Sequence, residues 1–346
     1  MFERERCDLC GDCLARCQYL NLDRAQAKEE MQKLIDGEDS LVLERCVTCF
    51  ACEEYCPNGA HPFDLIAEEQ ERKSLPAIDP ELAAHLIDLY EPQGQLRIKE
   101  IKEPVMSLCI FSKFPGLIDG DLFRDISFLK GRHFFCNLIY LHMGRNSVIL
   151  QRAPKIVENV AKHLVSELIC FHDECYGFFA SYAPRYGIEV PFKPIHLFEH
   201  LYNYLNDHLS NVKKLGIKAA YQRPCSSRFT PEKEHFLDEI FEIIGVLRAD
   251  RKYDREGALC CGAGILLAGN GDLVDEIQKK NIQDMVDSGA KMCVFTCPEC
   301  YNTLAEKVRG RGLEPIMVSD LCRLALGERS QTQPGMDLAH LLDSMS

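Results

Sequence analysis

Five cysteines in the last third of the chain have the spacing to hold an inorganic core. Cys225 stands in RPC, Cys260 and Cys261 are adjacent in ALCCGAG, and Cys297 and Cys300 sit in TCPECY, with 34 and 35 residues between the groups. Two adjacent cysteines do not both serve an ordinary hairpin or apolar core, and five thiols gathered this way imply a metal–sulfur centre. A second set fills the first 60 residues: Cys7, Cys10, Cys13 and Cys17, then Cys46, Cys49, Cys52 and Cys56. Each group has the spacing C-x2-C-x2-C-x3-C, and Pro57 follows the second.

Composition narrows the setting of these thiols. The chain has 346 residues and 19 cysteines, an odd number held in tight clusters. That suits metal ligation in a reducing compartment better than a secreted disulfide scaffold. The start, MFERERC, lacks the apolar core and cleavage site of a secretory signal. No stretch approaches the roughly 20 apolar residues needed to span a bilayer. The expectation is a cytoplasmic, anaerobic protein with two or three domains. The net charge of −13 is uneven, since residues 1–72 carry 17 acidic against 8 basic side chains, a net −9. Such a module argues against nucleic acid and for docking on a basic protein partner, unless it is merely a solvated acidic surface.

The spacing of the first eight cysteines resembles the bacterial two-cluster ferredoxin run. Three cysteines on a tight loop cap three corners of one cubane, and the fourth points to the other cluster. Cluster one is then expected on Cys7, Cys10, Cys13 and Cys56, and cluster two on Cys46, Cys49, Cys52 and Cys17. Zinc is the other metal that C-x2-C pairs hold, and the doubled, crossed pattern argues against it. Between the runs, DRAQAKEEMQKLIDGED reads as a helix with Asp23 as cap, Met31, Leu34 and Ile35 as an apolar stripe and Gly37 as the stop. A helical insert is similar to the α-helical ferredoxin of succinate dehydrogenase iron–sulfur subunits and heterodisulfide reductases.

Residues 73–104, with several prolines among charges, read as a linker with one helix near 80–89. From 105 to 327 short apolar strands alternate with longer helices. Strands are expected at 105–111, 167–171, 218–221 and 291–295, helices at 154–165, 232–244, 272–287 and 299–308. This alternation implies parallel α/β layers. An internal repeat is visible: LICFHDECYGFF (168–179) matches CVFTCPECYNTL (293–304), and KPIHLFEHL (193–201) matches EPIMVSDLC (314–322). The expected class is therefore multidomain α plus α/β, an α-helical ferredoxin domain (1–72) followed by a duplicated Rossmann-like α/β domain with parallel sheets. Its halves span 105–210 and 211–327, and a polar tail, 328–346, is either frayed or a docking segment.

The series from Cys225 to Cys300 resembles the CCG motif of the catalytic subunits of heterodisulfide reductases. In that family it holds a non-cubane [4Fe-4S] cluster at which disulfides are cleaved, and the subunits carry two CCG halves. Here the second half keeps all five positions, and Gly257, Gly262 and Gly264 leave room for the backbone to wrap a bulky core. The first half departs from the pattern. His172 stands where the second half has Cys297, Cys175 matches Cys300, and Cys136 has lost its cysteine neighbour. With Cys109 these form either a relic or a different metal site, Cys109, Cys136, His172 and Cys175, for zinc or a small iron–sulfur cluster. GAGILLAGNG lacks the context of a phosphate loop. Cys170, Cys293 and Cys322 fall in apolar patterns and read as core thiols. Arg223 and Arg228, flanking Cys225, either hold an anionic cluster or substrate or are solvated surface charges.

Cubanes pass single electrons, whereas cleaving a disulfide requires two. The resemblance implies an iron–sulfur oxidoreductase subunit that feeds electrons one at a time to a thiol–disulfide reaction. One intact CCG half is also similar to subunits of sulfate-reducer electron-transfer complexes, where the substrate is a disulfide or persulfide on a small carrier protein. The alternative is a pure relay between a flavoprotein dehydrogenase and another acceptor. No flavin motif is present, so a flavoprotein or other redox subunit, or a membrane quinone complex bound peripherally, is expected as partner.

Overall fold

The computed structural model describes residues 1–75, 78–97, 101–111, 117–163 and 165–328. The expected tail, from 329 onward, lies outside the described residues.

Between the two cysteine runs the chain forms the helix Arg24–Ile35. The Asp23 carboxylate accepts from the Gln26 N–H while the Gln26 side chain accepts from the Asp23 N–H, a reciprocal capping box that satisfies two end donors. Gly37 then turns the chain in a left-handed conformation, φ 71°. Ala27, Met31 and Leu34 pack with Leu14, Leu43 and Ile66 as the module's own small core. Its other face is not free. Phe50, Tyr55 and Phe63 belong to the same continuous core as the rest of the chain. The connector joins that core too: the helix Pro80–Leu89, capped by Asp79, buries Ala83 and Leu86 in it. It is packed in place, not a free tether.

Two four-stranded parallel sheets follow. The first comprises β1 (Val105–Cys109), β2 (Ser127–Lys130), β3 (Glu167–Cys170) and β4 (Lys193–His196), in the order β2-β1-β3-β4. The second comprises β5 (Ile217–Gln222), β6 (Val246–Arg248), β7 (Met292–Phe295) and β8 (Glu314–Met317), in the order β6-β5-β7-β8. The two orders are the same, as the internal repeat requires. The repeated segments occupy equivalent places: β3 runs into the helix Asp173–Gly177 and β7 into the helix Pro298–Arg309, while β4 and β8 each lead directly into a helix. The expected helices appear as Asn146–Ala161, Glu234–Ile244, Gly271–Asp287 and Pro298–Arg309. The first begins eight residues earlier than its periodicity suggested and carries Pro154 inside. Edge strands β4 and β8 contain Pro194 and Pro315, where a missing N–H donor is tolerated. Among the described residues no helix is long and apolar enough to cross a membrane.

A buried ion pair holds the halves together. Asp173, fully buried, opens the short helix after β3, and Lys233 Nζ from the second half lies 3.1 Å from its Oδ1. Lys233 also donates to the carbonyls and hydroxyls of Ser227 and Thr230. Burial alone would raise the Asp173 carboxyl, but Lys233 and His196 beside it hold it far below the carboxylate range. Removing one partner leaves an uncompensated charge in the core. Lys233→Met is expected to destabilise the chain by about 3–5 kcal/mol, and adding Asp173→Asn should restore much of the loss. Anaerobic chemical unfolding measures both; an unchanged midpoint in the single variant would contradict this account.

Candidate functional site

The two ferredoxin-type loops share a backbone device. Leu9 and Gly11, flanking Cys10, have φ of 57° and 79°, and Thr48 and Phe50, flanking Cys49, have φ of 53° and 60°. Three of these four are not glycine, so each loop stores strain that only a fixed surrounding maintains. The strain curls each loop into a cup with its thiols inward. Cys7, Cys10, Cys13 and Cys56 line one cavity, which places the last cysteine of the second run with the first three of the first. Cys17 in turn lies near Cys46 and Cys49: burial raises both thiols, and the charge of Cys17 raises them further. Backbone N–H groups point at sulfur, from Thr48 to Cys46 Sγ at 3.4 Å and from Ala60 to Cys56 Sγ at 3.3 Å. Inward thiols, N–H donors to sulfur and a curled loop together fit a four-iron cluster in each cup.

The five-cysteine series converges as its spacing suggested. Cys260 contacts Cys225 and Cys261, Cys261 contacts Cys300, and Cys300 contacts Cys297. Hydrogen bonds from Cys225 and Cys261 hold Cys260 well below the ordinary thiol value, and Cys300 does the same for Cys297, assisted by His172. Cys225, Cys261 and Cys300, which donate within the set, are pushed up instead, so two thiolates lie ready and a bound metal would displace the protons of the other three. Gly262 follows the pair at φ 96°, where a Cβ would meet Val274 at 2.9 Å, and its N–H points at Cys260 Sγ at 3.3 Å. The donor set fits a multi-iron cluster.

Four of these thiols are buried and Cys225 is partly exposed. They form one wall of a cavity whose opposite wall comes from the first half, including Cys109, Phe111, His142, His172 and Glu174. Burial pushes the Glu174 carboxyl up to about 7. His172 Nε2 lies 3.1 Å from Cys297 Sγ, so the imidazole that replaces a cysteine in the first half serves a cysteine of the second. Burial opposes a charge on this ring, but Cys297 holds it up to about 10. The first-half thiols Cys109, Cys136 and Cys175 lie together, with their sulfurs within 4.8 Å of one another; His172, expected with them, turns its Nε2 away to Cys297.

Two bridges connect the second ferredoxin-type cup to the five-thiol set. Tyr19, two residues after Cys17, accepts a hydrogen bond from the Cys260 N–H at 3.0 Å. Thr48, between Cys46 and Cys49, pairs its Oγ1 with His142 Nδ1 at 2.7 Å, and His142 Nε2 lies 3.5 Å from Cys225 Sγ. Burial lowers His142 to about 4, so the ring is neutral. Were Cys225 a metal-bound thiolate, Nε2 would carry the ring's proton and Nδ1 would accept from Thr48. Phe50 packs on the same ring, with centroids 4.7 Å apart, and Gly264 makes that approach possible, since a Cβ there would lie 3.1 Å from His142 Nδ1.

Arg223 and Arg228 are neither solvated nor turned toward the cavity. Arg223 donates to both oxygens of Glu54, at 2.6 and 3.1 Å, and Arg228 to one, at 2.8 Å. They also bond the carbonyls of Arg255, Glu256 and Ala258, and the module adds Tyr55 and Gln18 on Glu256 and Gly257. The loop that delivers Cys260 and Cys261 is thus held by the acidic module. Part of that module's negative charge is spent inside the chain, since Glu53 likewise pairs with Arg185 at 2.9 Å. Cys170, Cys293 and Cys322 are fully buried in the core, and burial pushes Cys293 up to about 12. Tyr19, Thr48, Glu54, His142 and Glu174 went unnoticed in the sequence. Thr48 and Glu54, each enclosed by ligand-spaced cysteines, had a local signal.

Comparison with known proteins agrees with this geometry. Residues 1–57 match the 4Fe-4S dicluster domain family, and residues 219–305 match the cysteine-rich (CCG) domain family. No curated protein matches the chain. The segment 219–305 begins on β5 and ends in the helix after β7, and it contains all five cysteines of the series. The chain therefore joins a 4Fe-4S dicluster ferredoxin domain to a CCG cysteine-rich domain, the combination found in heterodisulfide reductase-like subunits.

Proposed function

We propose that the chain is an iron–sulfur electron-transfer subunit of a heterodisulfide reductase-like complex and takes part in disulfide/thiol redox chemistry. Cys7, Cys10, Cys13 and Cys56 would hold one cubane [4Fe-4S] cluster and Cys17, Cys46, Cys49 and Cys52 a second, each supplying one-electron transfer. Cys225, Cys260, Cys261, Cys297 and Cys300 would hold a non-cubane [4Fe-4S] cluster that supplies reactivity toward sulfur. In this reading the working units are the module 1–72, the connector 73–104 and the halves 105–210 and 211–327.

The observation that carries the proposal is the direct contact between the second cup and the five-thiol set through Tyr19 and through Thr48–His142. Such contact offers a short bonded route, and the five thiols at its end open onto an internal cavity. Turning a disulfide into two thiols takes two electrons and two protons. On the opposite wall Glu174, with its carboxyl raised to about 7, can carry a proton at neutral pH, and His172 can hold one at Nε2 against Cys297. A flavoprotein or similar redox subunit would deliver the electrons, and the oxidant would be a disulfide or persulfide on a small molecule or carrier protein.

Two measurements test this. Anaerobically isolated chain should contain about 12 iron atoms, and Cys300→Ser should lose about 4 of them together with cleavage of a small disulfide by the reduced protein. A wild-type content of about 8, or no disulfide cleavage and no new paramagnetic signal on oxidation with a thiol, would leave only a relay. In a separate variant, His142→Phe keeps a ring against Phe50 but removes the donor to Cys225. Hydrogen bonds to cluster sulfur favour the reduced form, so the potential of the third centre should fall while both cubane potentials stay in place. A redox titration followed by electron paramagnetic resonance would show no movement if His142 merely fills space.

A further inference from the structure

We propose that the cavity between the two halves selects a disulfide whose flanks are neutral or carry an amine, and refuses one with carboxylate, sulfonate or phosphate close to the S–S bond. This selection rests on the disulfide reading of the five-thiol site and names the substrate class that the site takes. Among the described residues lining the cavity, none is a lysine or arginine. Two carboxyl groups line it instead, Glu174 from the first half and Glu299 from the second. The repeat accounts for the pair. Glu174 in HDEC and Glu299 in CPEC hold equivalent places, each just before a cysteine and each in the first turn of the helix that follows a central strand, β3 or β7. Because the halves face one another, the two carboxyls border one space.

The cations nearest the thiols in sequence are committed elsewhere. Arg223 and Arg228 flank Cys225 but bind Glu54 and loop carbonyls. The two imidazoles of the cavity are committed as well. His142 stands between Thr48 Oγ1 at 2.7 Å and Cys225 Sγ at 3.5 Å. His172 stands between Cys297 Sγ, 3.1 Å from Nε2, and Glu174, whose Oε2 lies 3.9 Å from Nδ1. A charge on His172 is thus answered within the wall itself. The rest of the lining is largely apolar and includes Phe111, Phe135, Ile139 and Leu267. An anion drawn into such a space gives up its hydration and gains no countercharge. A hydroxyethyl or alkyl flank gives up little and buries its carbons against the apolar wall, while an ammonium meets the two carboxyls. The selection holds in either protonation state of Glu174 and Glu299, since neither a carboxylate nor a carboxylic acid supplies positive charge.

Reduction of a disulfide breaks one S–S bond and forms two S–H bonds, taking two electrons and two protons. In the test, the full chain is isolated anaerobically with its iron in place. A reduced viologen dye supplies the electrons one at a time, and buffer supplies the protons. Three disulfides of similar size are compared: bis(2-hydroxyethyl) disulfide, cystamine and dithiodiglycolate. Each rate is corrected for direct reduction by the dye and divided by that disulfide's rate with dithiothreitol, which removes intrinsic reactivity. The neutral and amine-bearing disulfides should then have kcat/KM at least about tenfold above the dicarboxylate. Leu267→Lys adds a cation at a partly exposed point of the lining, outside the ligand set. It should raise kcat/KM for the dicarboxylate about tenfold relative to the neutral disulfide, with iron content unchanged. A dicarboxylate cleaved by wild type as well as the neutral disulfide would overturn the selection and leave the redox reading standing, and an unmoved ratio in an iron-replete lysine variant would also count against it. Cleavage of none of the three would sink the redox reading and the selection with it. Should the lysine variant lose its iron, the wild-type ranking still decides.

Discussion

Glu54 sits between Cys52 and Cys56, nearly out of reach of water, and its charge must be met where it lies. Arg223 and Arg228 meet it, and because they flank Cys225 they bring the second half's first thiol to the ferredoxin module. The same two arginines hold the carbonyls of the loop leading to Cys260. One buried carboxylate therefore fixes the separation between two thiol sets that are far apart in sequence. A charge buried this way is costly unless fully paired, so the docking geometry tolerates little variation. Tyr19 and His142 find their partners only because that geometry is set.

The strands that could be read from sequence share one property. The expected strands at 105–111, 167–171, 218–221 and 291–295 became β1, β3, β5 and β7, the four central strands. A central parallel strand is covered on both faces and reads as an unbroken apolar run. The edges β2, β4, β6 and β8 have three or four residues each, mix charge or proline with apolar positions, and carry too little pattern to stand out. Two of them were nevertheless present in the notice of the repeat at 193–201 and 314–322, where resemblance between halves supplied what periodicity could not. Helices with caps were legible to within a residue or two, as Asp23 and Asp79 illustrate.

The site was legible in its ligands but not in its surroundings. Spacing alone pointed to thirteen thiols, because tight loops and adjacent cysteines leave a linear trace. The second wall of the cavity left none. His142, His172 and Glu174 oppose the five-thiol set because two repeated units face one another, and the facing is a property of how their surfaces pack. The first half has no adjacent cysteine pair, yet it takes part in the site. It now supplies polar groups, His172 on Cys297 and His142 on Cys225, to its neighbour's thiols. Arginines that looked like surface charge or anion holders proved to be internal struts, since their partner, Glu54, lies 169 residues away from Arg223.

Pro194 and Pro315 have a consequence for assembly. Each removes a donor from the outermost strand of its sheet, on the rim where another chain's backbone would have to pair. Neither rim can be extended as a regular ladder, so strand exchange between copies and growth into larger β-assemblies are discouraged at both. Recognition by another subunit at these rims must rely on helix faces and loop side chains, which can be matched one residue at a time.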